Sequence, residues 1–213
     1  MNRPAEDRVE SSGECAPQPC STTIAPLFPL PGFFLFPGSL VPLHIFEPRY
    51  RQLIGDLIDG TGRLVLGTVP DEHASELPQS PPIHPVAGLG EIARHEKLPD
   101  GRYLIWLFGL ARVRVQEVES ARLYRRVSYE QLREQPIACA RRVPLRVELT
   151  RAVHARCSEI QPLPADLADA CLVDILIQKL QRPASETIRM YSESDLERRA
   201  HLALAAHAAN PPC

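Results

Sequence analysis

The chain has 213 residues, enough for one domain or a pair of subdomains with a sizeable core. Its hydrophobic share of 44% is ordinary for a globular protein, and a formal net charge of −2 supplies no global field toward nucleic acid or an anionic membrane. The cations are almost all arginine, since Lys97 and Lys179 are the only lysines, so mechanisms that need a lysine have few candidates.

Residues 1–22 are polar and rich in Pro, Ser and Glu, and read as a disordered tail. They contain no apolar stretch of the kind a secretory signal needs, and no run in the chain approaches 18 apolar residues. The expected location is cytoplasmic. The six cysteines (Cys15, Cys20, Cys139, Cys157, Cys171 and Cys213) show no CxxC pair, which predicts reduced, structural thiols.

Residues 24–50 organise the chain, with five of the six phenylalanines, six prolines and two glycines. The pattern predicts strands over Pro26–Leu30, Phe33–Phe36 and Leu40–Ile45, with a turn at Pro37-Gly38. A helix then opens at Pro48, whose missing amide hydrogen costs nothing at a first helical position. Tyr50, Leu53, Ile54, Leu57 and Ile58 fall on one face of that helix, which Gly60 ends.

Arg63–Val69 reads as a strand, and residues 70–85, with five prolines, as a long exposed loop. Leu89–His95 and Arg102–Leu107 flank Asp100-Gly101, a hairpin signal because both residues tolerate positive φ. Ala111–Val118 alternates, with Val113 and Val115 on one side and Arg112, Arg114 and Gln116 outward on the other; Leu123–Leu132 is a further strand. After Pro136 the period lengthens. A helix is expected from Pro144 with Leu145, Leu149, Val153, Cys157 and Ile160 on one stripe, then a largely buried helix over Ala165–Leu180 and a short one near Ser185–Tyr191. A last helix is expected to end near Ala209 after a capping box at Ser194–Glu197. Strands followed by helices give an α+β class, divided into a β-rich subdomain at 23–135 and a helical one at 136–210.

Motifs for catalysis are missing or out of context. Gly88–Ala93 matches GxGxxA but precedes a hairpin strand where a dinucleotide site needs a helix. Gly62–Thr68 has the glycine spacing of a phosphate loop without its lysine, and His95-Glu96 lacks the second histidine of a zinc helix. No GxSxG occurs. His44 and Glu47 could serve as an acid–base pair, or as satisfied groups at a strand–helix junction together with Arg49. No cofactor or metal is implied. Arg112, Arg114, Arg122, Arg125 and Arg126, with Arg141 and Arg142, form a candidate basic face, but only Tyr124 and Tyr129 interleave it, which makes nucleic acid an unfavoured partner.

Pro29–Gly32, Leu35–Gly38 and the run Pro42-Leu43-His44-Ile45-Phe46-Glu47-Pro48-Arg49-Tyr50 resemble the opening signature of the Lon N-terminal domain family. Gly90–Ile92, Leu98–Tyr103 and Gly109–Arg112 are similar to its second signature, and the resemblance runs from about Ile24 to Ala206. Phe33-Phe34 departs from it, standing where the family places smaller aliphatic residues. The resemblance implies a stand-alone bacterial member: a PUA-like, barrel-type subdomain followed by a helical bundle (22–207 together), without the ATPase and protease modules of full-length Lon. It implies a non-catalytic module that holds unfolded or partly folded polypeptide, as an adaptor or chaperone-like partner of a protease. Phe33, Phe34 and Trp106 are the candidate polypeptide-binding residues, and His44, Glu47, Pro48, Arg49 and Tyr50 carry the structural motif. The alternative is RNA binding through the β-rich half and its arginine face.

Overall fold

The computed structural model of the protein describes residues 23–157, 163–164 and 166–210, apart from the side chains of 76–79. The class is α+β, as expected. Six strands come first: β1 (Thr23–Pro31), β2 (Leu40–Ile45), β3 (Arg63–Val69), β4 (Val86–Lys97), β5 (Tyr103–Val118) and β6 (Arg126–Gln131). Helix α1 (Pro48–Ile58) lies among them, and α2 (Cys139–Arg156), α3 (Asp169–Leu180), α4 (Ala184–Tyr191) and α5 (Leu196–Ala209) follow. None of these helices is long and apolar enough to cross a membrane.

The strands run β2-β5-β4-β3-β1-β6, and β6 also pairs with β5, so five of them close a ring. β1 and β3 are parallel, with α1 in the crossover between them; the other pairings are antiparallel. Closure is possible because β5 is long. Its C-terminal half, Val113–Val118, pairs with β6, while Tyr103–Phe108 projects beyond the ring between β2 and the outer half of β4. β2 is therefore the one strand, among the described residues, with a single neighbour. A bond from the Gly109 amide to the Ser39 carbonyl sets the phase of the β2–β5 ladder. Alternation then turns the main-chain groups of Val41, Leu43 and Ile45 toward β5 and the nitrogen of Pro42 toward the free edge.

Inward side chains of β2 and β5 (Val41, Leu43, Ile45, Tyr103, Ile105 and Leu107) pack against Tyr50, Leu53, Ile54 and Leu57 of α1. Each fully buried aliphatic side chain contributes roughly 1.5–3 kcal/mol relative to exposure. Pro48 occupies the start of α1, as expected, and Asp100-Gly101 turns the β4–β5 hairpin with Gly101 at φ 81°.

Several expectations are corrected. Phe33–Phe36 is a loop and not a strand. Its carbonyls find side-chain donors: Thr68 Oγ1 donates to Phe33 at 2.5 Å and the Tyr191 hydroxyl to Leu35 at 2.6 Å. The two strands expected over 102–107 and 111–118 are one, with a register shift opposite Leu89 and Gly90 absorbing the bend near Gly109. The 70–85 loop holds a 3-10 helix at Asp71–Gln79. Helix α2 begins five residues before Pro144, because the Ala138 carbonyl accepts the Arg141 and Arg142 amides and those side chains pair with Glu197 and Asp169. The cap of α5 is Asp195 and not Ser194: Asp195 Oδ1 accepts the Arg198 amide at 3.1 Å. The expected tail at 1–22, Ile160, Ala165, Cys15, Cys20 and Cys213 lie outside the described residues. Cys139, Cys157 and Cys171 are free thiols.

The largest correction is Arg112. Alternation sends it outward from β5, but outward here means under the helices, and it is 3% exposed. Its guanidinium donates to the carbonyls of Tyr191 and Glu193 and to Glu134 Oε1. The same Glu134 oxygen accepts from Arg199 of α5 at 2.8 Å, and Arg199 stands 3.3 Å from Asp174 of α3. Two buried guanidinium groups and two carboxylates thus tie the strands to the helices. Burial outweighs the pull of Arg199 and Arg112 and pushes the Asp174 carboxyl up to about 6, while burial and Arg199 lower the pKa of Arg112.

Candidate functional site

The projecting arm of β5 has two faces. While Tyr103, Ile105 and Leu107 fill the core, Leu104, Trp106 and Phe108 alternate to the outside. Antiparallel register sets Leu40 of β2 beside Phe108, Pro42 beside Trp106, and His44 beside Leu104. Paired residues share a face, so these six side chains form one surface across the two strands. Leu40 is 55% exposed and Phe108 40%. Just past β2, Phe46 is 60% exposed, with its ring centroid 6.0 Å from that of His44. An apolar surface of this kind, exposed on a monomer and bordered by polar groups, marks an interaction site more often than an isolated exposed leucine does.

Charged residues of β4 rim the apolar centre. The Arg94 guanidinium lies over the Trp106 indole, 4.9 Å from the ring centroid. Glu91 pairs with Arg63 at 2.9 Å. Both signs are present on the rim, so the face carries no strong preference for charge.

The expected site residues do not assemble in one place. Trp106 lies at the centre of this outer face. Phe33 is half-buried against the core under α1. Phe34 is half-buried at the junction with the helices, its ring 5.1 Å from Tyr191 and 6.5 Å from His84. Sequence reading found the tryptophan and missed Leu40, Pro42, Phe46, Leu104 and Phe108. The signal that could have found them was a period-two pattern in two runs that each look wholly apolar.

The motif residues hold the strand–helix junction. Pro48 starts α1, and Glu47 receives the Arg49 guanidinium at 2.9 Å. Tyr50 is buried against Phe28, and burial pushes its hydroxyl up to about 12. His44 faces out beside Phe46, and among the described residues no hydrogen bond joins it to Glu47 as an acid–base pair. The arginine face is also dispersed. Arg112 is buried, Arg125 is held by Glu117 and the Pro81 carbonyl, and Arg122 stands 3.4 Å from Asp56.

Residues 24–211 match a family model described as the ATP-dependent protease La (LON) substrate-binding domain. Among curated proteins, the chain is 26% identical over 160 residues to Lon protease 2 of Sorangium cellulosum, covering 75% of this chain and 20% of that protein. It is 29% identical over 131 residues to the Lon protease of Flavobacterium johnsoniae, covering 61% and 15%. The chain therefore spans about a fifth or less of those relatives. Among solved structures, the N-terminal domain of a Mycobacterium avium complex Lon protease has a TM-score of 0.67 at 11% identity, covering 88% of this chain and 100% of that one. A Lon N-terminal domain protein from Xanthomonas campestris has a TM-score of 0.62 at 23% identity, covering 86% and 98%.

Proposed function

The chain belongs to the family of Lon substrate-binding domains, and from that premise we propose that it is a non-catalytic module that captures unfolded or partly folded polypeptide on the outer face of β2 and β5. The observation that carries the reading is the apolar row of Leu40, Pro42, Leu104, Trp106 and Phe108, continued by Phe46. Client side chains dock on that row and leave water, each large one gaining up to roughly 1.5–3 kcal/mol before ordering costs are subtracted. The mixed rim lets clients of either charge approach. The module works in the cytoplasm, delivering what it holds to a protease or chaperone as an adaptor. Only the substrate-binding part of Lon is matched, which supports a role in contact and not in chemistry.

The test uses the protein's only tryptophan, which stands in the proposed site. A reduced, carboxymethylated protein that cannot fold is titrated into the full chain while Trp106 emission and its quenching by iodide are followed. Binding on this face shifts the emission to the blue and shields the indole. Replacing Leu40 and Phe108 with serine abolishes both effects. Capture that leaves Trp106 emission and quenching unchanged, or that survives those replacements, sinks the assignment of the face.

A further inference from the structure

The seam between strands and helices is narrow. From the strand half, the helical core takes in Phe36, Val86, Leu132 and Ile137, with Phe34 half-buried beside them. Among the described residues, neither core built on the strands includes a side chain of α2–α5. Polar ties across the seam include Arg112 to the Tyr191 and Glu193 carbonyls and the Tyr191 hydroxyl to the Leu35 carbonyl. The main chain of Gln135 adds two more, donating to the Ser194 carbonyl and accepting the Leu196 amide.

Asp174 of α3 is buried at this seam, facing Arg199 of α5 and Arg112 of β5, both of which donate to the same oxygen of Glu134 between β6 and α2. Its Oδ1 stands 3.3 Å from Arg199 Nη2 without the alignment of a hydrogen bond, and among the described residues neither atom has a hydrogen-bond partner. The Nε atoms of Arg112 and Arg199 are buried and unbonded as well. A buried carboxylate in such a place is costly to ionise, whereas the protonated carboxyl loses little. Around it, Tyr191 gives its hydroxyl to Leu35, and Cys171, one turn earlier on α3, is a thiol that burial pushes up. Helix α2 sends Arg142 and Arg146 to Asp169.

We propose that Asp174 is a proton-operated latch: with its proton in place the helices close on the strands, and when the proton leaves, the seam loosens and uncovers Phe34, Phe36 and Tyr191 while both strand cores stay closed. In the closed seam burial pushes the carboxyl up to about 6; in an opened one water returns it to its ordinary value near 4. The closed state thus holds the proton more tightly. Its advantage is complete below about pH 4 and shrinks as pH rises to about 6. Between pH 4.5 and 7 the opening equilibrium rises about twentyfold. The latch shares no residue with the outer face of β2 and β5 and does not rest on the reading of that face.

Hydrogen exchange of the full chain, read by mass spectrometry at pH 4.5 and 7 and corrected for the intrinsic rate at each pH, measures the opening. Amides of α3, α4 and α5 should lose protection about twentyfold at pH 7. At that pH they should also be less protected than those of β1 and β3 by about tenfold or more. Asp174→Asn has no proton to release, so its helices keep at pH 7 the protection they have at pH 4.5. Asp174→Ser takes its place if the asparagine variant does not fold. Helix protection that is the same at both pH values overturns the proposal, as does a loss that persists in the neutral variant. Helices and strands that share one level of protection and lose it together also overturn it, because the chain then opens as a whole and not at the seam.

Discussion

Asp174→Asn separates two accounts of the buried charges that join strands to helices. The Asp174 side chain is almost wholly enclosed and stands 3.3 Å from Arg199, which also donates to Glu134 at 2.8 Å. If the Asp174–Arg199 contact acted as a stabilising salt bridge, removing the carboxylate would cost about 3–5 kcal/mol, the usual consequence of stranding a buried charge. Burial of the carboxyl points the other way. The carboxyl is raised to about 6 from an ordinary value near 4, so the folded state holds the proton more tightly than the unfolded chain does. Stability therefore falls as pH rises through the window from about 4 to 6, and above it the ionised carboxylate costs the fold about 3 kcal/mol. Asparagine keeps the shape without the charge, and Arg199 retains Glu134. Urea unfolding followed by far-ultraviolet circular dichroism, on parent and variant from pH 4 to 7.5, gives the difference in stability. That difference should move in the variant's favour by about 3 kcal/mol across the window, leaving the variant at least as stable as the parent at pH 7. A variant weaker by several kcal/mol at pH 7, or a difference that does not change with pH, refutes the reasoning.

Other outcomes follow from close packing. A methyl group on Gly109 would overlap the Phe36 carbonyl oxygen, so Gly109→Ala should lower stability by at least about 2 kcal/mol in denaturant titration. Tyr191→Phe removes the donor to the buried Leu35 carbonyl and should cost about 1–3 kcal/mol, measured the same way. Pro144 sits inside α2 without an amide hydrogen; Pro144→Ala should raise the thermal midpoint by a few degrees, worth about 1 kcal/mol or more.

Local signals in the sequence proved readable wherever one residue dictates the backbone. Pro48 at the start of α1 and Asp100-Gly101 at the β4–β5 turn both act as their chemistry requires. Long-range packing was less legible. Phe33–Phe36 has the composition of a strand, yet its carbonyls are taken by Thr68 and Tyr191, the latter 156 residues away from Leu35. Arg112 sits in clean alternation, but which outward face meets solvent depends on where α3 and α5 come to rest. Glu134, Asp174 and Arg199 look like ordinary surface charges until the fold brings them beside Arg112. The outer row around Trp106 was hidden for a related reason. Both runs look uniformly apolar, and only the pairing of β2 with β5 shows which half of each run faces out.

Pro42 gives the exposed row a particular character. An unprotected edge strand invites any extended chain to zip on through its main chain, and such pairing can seed growth into fibres. With no hydrogen on its nitrogen, Pro42 interrupts that template halfway along β2. Contact along this edge is left to the side chains of the row and not to main-chain pairing.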